Sequence, residues 1–227
     1  MGIELFDVYP ELRRRIDGLC QGVLWCVTGV SALVHDEKFF YFEITKPRHW
    51  RHHPDGTTVA GIGGVGGSLE PGESFLDCLY RELEEELGAR VDVESASEAH
   101  FIYEERLVGS VALEQREHPL PALFTISANL HPNERHPGYG ILTIVTFMAR
   151  PRERPSPADL FGLLAVPREA LPTLFAPTEI SISQARAIPG LRLETQEPLP
   201  EKMVLAPVWT ARSLQLLVQS NPRGVVS

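Results

Sequence analysis

The first hydrophobic pattern along the chain is typical of β-strands. β-Branched and aromatic residues dominate residues 23–34 and 39–44 on either side of a polar, turn-like segment at 35–38, which predicts a β-hairpin. Similar runs predict further strands at residues 57–65, 101–108, 123–127, 140–149 and 160–166.

One segment has a clear helical period. Apolar residues recur there at three- and four-residue steps, at Phe75, Leu76, Leu79, Leu83 and Leu87. Ser74 is a typical N-cap residue, and Gly88 stands where a left-handed residue ends many helices, so the pattern predicts a helix over residues 75–87. We also expect a short helix between Pro167 and Pro172 and a closing helix over residues 207–219, whereas residues 176–205 give no clear pattern.

Glycines are dense just before the predicted helix, at Gly61, Gly63, Gly64, Gly66 and Gly67. Because these residues have no side chains, a ligand could approach the backbone closely in this segment. No repeat and no linker between two complete apolar patterns interrupts the chain. We therefore expect a single α/β domain over residues 1–227 with loop and C-terminal additions.

Composition and charge limit the partners. The formal net charge of -9 disfavours non-specific binding to nucleic acid or anionic membranes. Three widely spaced cysteines exclude a disulfide framework and suit a reducing compartment. The first residues lack the pattern of a secretory signal, and the longest apolar stretch is too short to span a membrane, so we expect a cytoplasmic protein.

Candidate chemistry lies on the predicted helix. At about 100° per residue, Glu82, Glu85 and Glu86 fan out over one face, away from the leucines. Like charges at these spacings repel, so the face is either fully solvated or binds a cation. Mg²⁺ and Mn²⁺ prefer carboxylate and carbonyl oxygens, which the glutamates and the neighbouring glycine segment supply.

The spacing around these glutamates resembles the Nudix box, the defining motif of the Nudix hydrolases. It reads Gly67-x5-Glu73-x7-Arg81-Glu82-Leu83-x-Glu85-Glu86-x-Gly88-Ala89, with Ala89 where an aliphatic residue is usual. The order of predicted elements around it is similar to that family's α/β/α sandwich with a mixed β-sheet.

The resemblance implies a pyrophosphohydrolase that uses Mg²⁺ or Mn²⁺. Such an enzyme cleaves the diphosphate linkage of a nucleoside diphosphate derivative by attack of water on phosphorus. The implied metal ligands are Glu82, Glu85, Glu86 and the Gly67 carbonyl. Arg81 would hold the glutamates by ion pairing, and Glu73 would support the loop and helix or help bind a metal.

The sequence offers several candidates for the residue that accepts the proton of the attacking water. Glu82 is one candidate, and later glutamates are others, namely Glu104, Glu105, Glu114, Glu117 and Glu134. The basic and aromatic loop at residues 46–53 is a candidate substrate site, in which Arg48 and Arg51 would bind phosphate and Trp50 would stack on a base. Tyr103 is a further substrate-binding candidate, because a tyrosine after the box marks some subgroups of the family.

Two other functions compete with hydrolysis of a small nucleotide. The first is a Nudix-like domain that binds a nucleotide as a sensor or regulator without turnover, which the intact glutamate set disfavours. The second is pyrophosphohydrolysis at the 5′ end or cap of RNA, which the net charge disfavours. The extra length at residues 118–137 is compatible with a lid, a homodimer contact or a long loop.

Overall fold

A computed structural model describes residues 4–130 and 136–220. Within them, the helices are α1 (Leu5–Val8), α2 (Pro10–Cys20), α3 (Phe75–Leu87), α4 (Leu171–Leu174), α5 (Ile182–Arg186) and α6 (Trp209–Ser220), with short 3-10 helices at Pro47–His49 and Arg168–Ala170. The strands are β1 (Trp25–His35), β2 (Phe39–Ile44), β3 (Arg51–His52), β4 (Thr58–Gly63), β5 (Val65–Ser68), β6 (Val91–Glu94), β7 (Glu98–Tyr103), β8 (Arg106–Ala112), β9 (Leu123–Ala128), β10 (Ile141–Pro151), β11 (Gly162–Pro167), β12 (Ile180–Ser181), β13 (Arg192–Thr195) and β14 (Met203–Pro207).

These strands form one mixed sheet whose main path runs β12-β14-β4-β2-β1-β10-β9-β7-β8. The predicted hairpin of β1 and β2 is present, but the two strands pair only through Val34 and His35 on the β1 side. Most of β1 pairs instead with β10, in parallel. A strand from late in the sequence therefore lies at the centre of the sheet beside β1.

Two hydrophobic cores lie on opposite faces of this sheet. Neighbouring residues of β1 separate between them, with Val34 in one core and Leu33 in the other, because successive strand side chains point to opposite faces. Helices α1 to α3 contribute to the first core, and α4 to α6 contribute to the second. The predicted α/β/α sandwich with a mixed sheet is confirmed. None of the helices in the described residues is long and apolar enough to cross a membrane.

Helix α3 has the predicted boundaries. The Ser74 hydroxyl accepts a hydrogen bond from the Asp77 backbone N–H at 3.2 Å, and Gly88 ends the helix in the left-handed conformation, with φ of 57°. Its apolar face is buried in the first core through Cys78, Leu79, Leu83 and Leu87. This orientation leaves the glutamates on the other side of the helix.

The predicted strand at residues 101–108 is wrong. Glu104 and Glu105 both have positive φ, 47° and 56°, and they form the tight turn between β7 and β8. Two left-handed residues match the twist of a β-hairpin, so the segment folds back on itself where an uninterrupted strand was expected. Glutamates are rare in this conformation, and for that reason the turn was not predicted.

Other differences lie near the ends of the chain. Helices α1 and α2 were not predicted, although Leu12 and Ile16 give α2 a buried apolar stripe. The short helix after Pro167 does not end before Pro172, which lies in the first turn of α4, where a proline is tolerated. The closing helix is α6, and the residues that follow it, from Asn221 onward, lie outside the described residues.

The burial of α3 makes its leucine stripe essential for stability. Leu83 is fully buried in the first core. We expect Leu83→Ala to lower the free energy of unfolding by about 2–5 kcal/mol, because it removes buried methyl groups and leaves a cavity. Urea denaturation measures the change, with the exposed neighbour Glu84→Ala as the matched control. A loss below about 0.5 kcal/mol for Leu83→Ala would contradict the packing of α3.

Candidate functional site

The glycine-rich strand β5 brings bare backbone against helix α3. β5 pairs antiparallel with β1, with Gly66 opposite Ser31 and Gly67 opposite Val30. A Cβ atom added to Gly66 would overlap the Val30 carbonyl oxygen, and one added to Gly67 would overlap the carboxylate of Glu82. Only glycine therefore allows the strand, its neighbour and the helical glutamate to approach this closely.

Arg81 connects the predicted glutamates. Its guanidinium donates two hydrogen bonds to Glu73, at 2.9 and 3.0 Å, and one to Glu82 at 2.7 Å. The Glu85 carboxylate lies 3.7 Å from the same group. The hydrogen bonds from Arg81 lower the pKa of Glu73 to about 2. One cation therefore orients three carboxylates, and Glu73 also ties the preceding loop by accepting from the Glu70 N–H at 3.0 Å.

Two further carboxylates lie deeper. Glu86 accepts a hydrogen bond from the Gly66 N–H at 3.2 Å. Burial first, and then the charges of Glu43 and Glu82, raise the pKa of Glu86 to about 8. Glu43 lies on β2 with its carboxylate over Gly63, and burial, together with the charge of Glu82, raises its pKa to about 7. The site thus concentrates negative charge in a poorly solvated place.

Glu43 was not singled out in the sequence, although a signal exists. It is the one charged residue in the strand FFYFEI, where every other side chain is apolar. A charged residue at such a position is expected to face a partner or a ligand. Within the described residues its carboxylate makes no hydrogen bond, and the nearest opposing charge is Lys46, which is paired with Asp159 at 2.6 Å.

The donors at this site fit a hard divalent cation in their chemistry. Carboxylates and a strand carbonyl are the ligands that Mg²⁺ prefers. Lys46, whose charge acts on both Glu43 and Glu86, is already paired with Asp159. No three His, Cys, Asp or Glu side chains in residues 4–130 and 136–220 already have a geometry that would hold a metal ion. Binding would therefore require side chains such as the exposed Glu85 to reorient.

A cleft of about 750 Å³ opens above these groups. Its walls are strand β5, the acidic face of α3 and the loop after β2. The lining includes Glu82, Glu85 and Glu86 on one side and the cations Lys46 and Arg48 on the other. Acidic and basic groups that face each other across a cleft can bind a metal ion and an anionic group together.

Comparison with known proteins agrees with this arrangement. The NUDIX domain model matches residues 27–135, which contain β5, α3 and all the glutamates of the cleft. This part of the chain, just under half of its length, is therefore similar to the NUDIX domain. The Nudix box departs from the usual pattern only at Ala89, which is buried and so occupies a packing position.

Solved structures that match the chain include two bacterial proteins. The Escherichia coli ORF135 protein is 18% identical, with 66% of this chain and 80% of that chain covered and a TM-score of 0.36. A MutT Nudix hydrolase from Burkholderia pseudomallei is 14% identical, with 85% of this chain and 96% of that chain covered and a TM-score of 0.34. No curated protein matches the chain significantly. The similarity to Nudix proteins rests on the match at residues 27–135, because neither of these structures superimposes closely.

The predicted substrate residues outside the Nudix box are separated by the fold. Arg48 lines the cleft. The Trp50 indole N–H donates to the Thr45 carbonyl at 2.7 Å, and its ring packs edge-on against Phe161. Arg51 lies on the short strand β3 beside Glu179, and Tyr103 packs against the first core. The structure thus brings Arg48 to the glutamates and uses Trp50 for packing.

The candidate proton acceptors outside the Nudix box also separate. Glu105 pairs with Arg212 at 2.8 Å, and Glu104 accepts from the Ala128 backbone N–H, both at the β7–β8 turn. Neither of them lines the cleft, and neither do the exposed Glu114 and Glu117. Glu134 lies outside the described residues. Glu82 is the one earlier candidate that is found in the cleft.

The raised pKa of Glu86 predicts how stability depends on pH. The unfolded group titrates near 4.5 and the folded one near 8, so between these values the folded state holds a proton that the unfolded state has lost. Stability without divalent cations should therefore fall as the pH rises through this window. We expect Glu86→Gln, which keeps the acceptor for Gly66, to be more stable than the parent by about 1 kcal/mol at pH 9 and equal to it near pH 4.

Thermal unfolding in EDTA at the two pH values measures this difference. The exposed Glu84→Gln is the control, which removes a charge from the same helix without affecting a buried group. Equal melting temperatures of Glu86→Gln and the parent at pH 9 would show that Glu86 is not held in an unfavourable charged state.

Proposed function

We propose that the chain is a metal-dependent pyrophosphohydrolase that cleaves the diphosphate linkage of a nucleoside diphosphate derivative by attack of water on phosphorus. The observation that carries this proposal is the arrangement of Glu73, Glu82 and Glu85 around Arg81, directly beside the bare backbone of β5. These residues lie within the range that the NUDIX model matches.

The proposed metal ligands are Glu82, Glu85, Glu86 and the Gly67 carbonyl. Bound Mg²⁺ or Mn²⁺ would neutralise the diphosphate charge, acidify the attacking water and stabilise the leaving oxygen. Glu86 is oriented by the Gly66 N–H, and Glu82 by Arg81 and by the surface of Gly67. Glu85 is 60% exposed, so it can turn toward an ion without disturbing the core.

The remaining polar groups position the substrate and the ligands. Arg81 is a positioning residue, because its hydrogen bonds are to Glu73 and Glu82, and these bonds raise its own pKa. Lys46 and Arg48 stand across the cleft, where their charges can bind the phosphate oxygens. Glu73 holds the loop that enters α3.

We also propose that residues 1–227 form one domain. The family match ends at residue 135, yet β10, which follows it, pairs with β1 at the centre of the sheet. β11 pairs with β2, and β14 pairs with β4. Strands from both sides of that limit therefore share one sheet and the same two cores.

The proposal predicts that Glu85→Gln folds normally and loses activity. The exposed carboxylate makes no packing contribution to the leucine stripe, whereas loss of a metal ligand should lower kcat by about 100-fold or more. The measurement is Mg²⁺- or Mn²⁺-dependent phosphate release from ADP-ribose, other nucleoside diphosphate sugars, dinucleoside polyphosphates, NADH, deoxynucleoside triphosphates and capped RNA, with a coupled phosphatase where needed.

Glu84→Gln is the matched control, because it removes the same charge from the neighbouring, exposed position outside the cleft. It should retain activity within about twofold of the parent. Equal activity of Glu85→Gln and Glu84→Gln would exclude Glu85 as a ligand. Absence of turnover on all substrates, with a nucleotide still raising the melting temperature, would favour a non-catalytic sensor.

A further inference from the structure

A second cavity lies beside the glutamate cleft. Its volume is about 370 Å³, within the range of small-molecule sites. It shares Gly66, Gly67 and Ser68 with the cleft, so a molecule that fills both passes over the same strand. Arg48 also lines both spaces and marks the junction between them.

Trp209 forms part of the wall of this cavity and is unusual in its exposure and its backbone conformation. It is 56% exposed and has a φ of 43°, a left-handed conformation that is unfavourable for a bulky side chain. Within residues 4–130 and 136–220 its indole makes no hydrogen bond and contacts no other aromatic ring. The chain therefore holds a large apolar ring, at an energetic cost, where it faces open space.

The other two tryptophans differ from Trp209. The Trp25 indole donates to Asp17 at 2.8 Å, and the Trp50 indole donates to the Thr45 carbonyl. Both are also packed against phenylalanine rings, Phe6 and Phe161 respectively. Of the three tryptophans, all in the described residues, Trp209 is the exposed one.

Hydrogen bonds of the neighbouring residue fix the backbone position of Trp209. The hydroxyl of the next residue, Thr210, forms a buried hydrogen bond with Ser31 on β1 at 2.6 Å, and Ser31 bonds to Thr146 on β10 at 2.9 Å. These bonds tie the first turn of α6 to the centre of the sheet. Because its backbone is held rigidly, the exposed ring can bind a ligand with little loss of conformational entropy.

The cavity also carries polar groups of both signs. Glu43 lies in its wall and can accept hydrogen bonds, while Arg48 and His49 can donate them. An aromatic platform with a few hydrogen-bonding groups matches a nucleobase, which offers a flat π-face and a polar edge. An isoprenoid or polyol diphosphate would lack that combination.

We propose that this cavity is the base subsite of the enzyme, with Trp209 as the platform on which the purine or pyrimidine ring of the substrate stacks. This inference rests on the proposed function, because it assigns the residue that binds the base of the substrate at the same site. A base on Trp209 would direct its phosphates along β5 toward the glutamates. Trp209 is then a specificity-determining residue outside the Nudix box.

The test uses ligands that have no diphosphate linkage to cleave. AMP, GMP, CMP and UMP carry a base, and ribose 5-phosphate is the base-free analogue. Isothermal titration with Mg²⁺ present gives Kd for the parent, Trp209→Ala, Trp209→Phe and the control Leu24→Ala, which removes an exposed apolar side chain outside the cavity. Quenching of tryptophan fluorescence by the nucleotides supplies a second readout.

We expect Trp209→Ala to raise the Kd of the nucleoside monophosphates by about 5- to 100-fold, the range for loss of one base-stacking contact. Trp209→Phe should stay within about threefold of the parent, and Leu24→Ala should be unchanged. The Kd of ribose 5-phosphate should be the same in all four proteins. Quenching by AMP should disappear in Trp209→Ala.

The outcomes separate the two proposals. If Trp209→Ala loses AMP binding and the parent protein turns over no diphosphate substrate, the base subsite is upheld and hydrolysis is rejected. Turnover with AMP bound equally by Trp209→Ala and the parent would reject the base subsite alone. Equal weakening of AMP and ribose 5-phosphate would also reject stacking. Should Trp209→Ala lower the melting temperature, a Trp209→Phe variant that folds but binds AMP weakly would overturn the platform.

Discussion

The site depends on one steric constraint, the contact between the backbone of β5 and the acidic face of α3. A Cβ atom at Gly66 would overlap the backbone of Val30 and Ser31, and one at Gly67 would displace the Glu82 carboxylate. Local interactions position the helix. Capping by Ser74 and Gly88 sets the limits of α3, and its leucines fix its rotation on the core. The glutamates are thereby pressed against strand carbonyls and N–H groups, where a phosphate could also approach.

This contact has an electrostatic cost. Arg81 compensates Glu73 and Glu82 directly, but Glu43 and Glu86 are held in a poorly solvated place with pKa values raised to about 7 and about 8. A buried carboxylate takes up a proton or a cation, and a bound divalent ion would relieve several repulsions together. The same unfavourable charges that are expected to lower stability at high pH would therefore favour binding of the ion on which the proposed hydrolysis depends.

The sequence predicted the parts of the fold that are determined locally. The helix α3, its caps and the alignment of Glu82, Glu85 and Glu86 follow from spacing alone, and the structure places them as expected. The parallel pairing of β1 with β10 and the inward position of Glu43 depend on contacts between distant segments, which periodicity does not report. Trp50 and Trp209 show the same limit: the tryptophan in the basic loop packs against Phe161, whereas the one in an apolar run is exposed and has a left-handed backbone.

We propose that the carboxylates beside β5 form a divalent-cation site. Crystals grown at saturating Mn²⁺ and measured at the manganese absorption edge test it most directly, because anomalous scattering locates the ion independently of the protein atoms. We expect a manganese peak in the cleft about 2.1 Å from carboxylate oxygens of Glu82, Glu85 or Glu86 and from the Gly67 carbonyl. A cleft without a peak, or manganese bound only elsewhere on the protein, would contradict it.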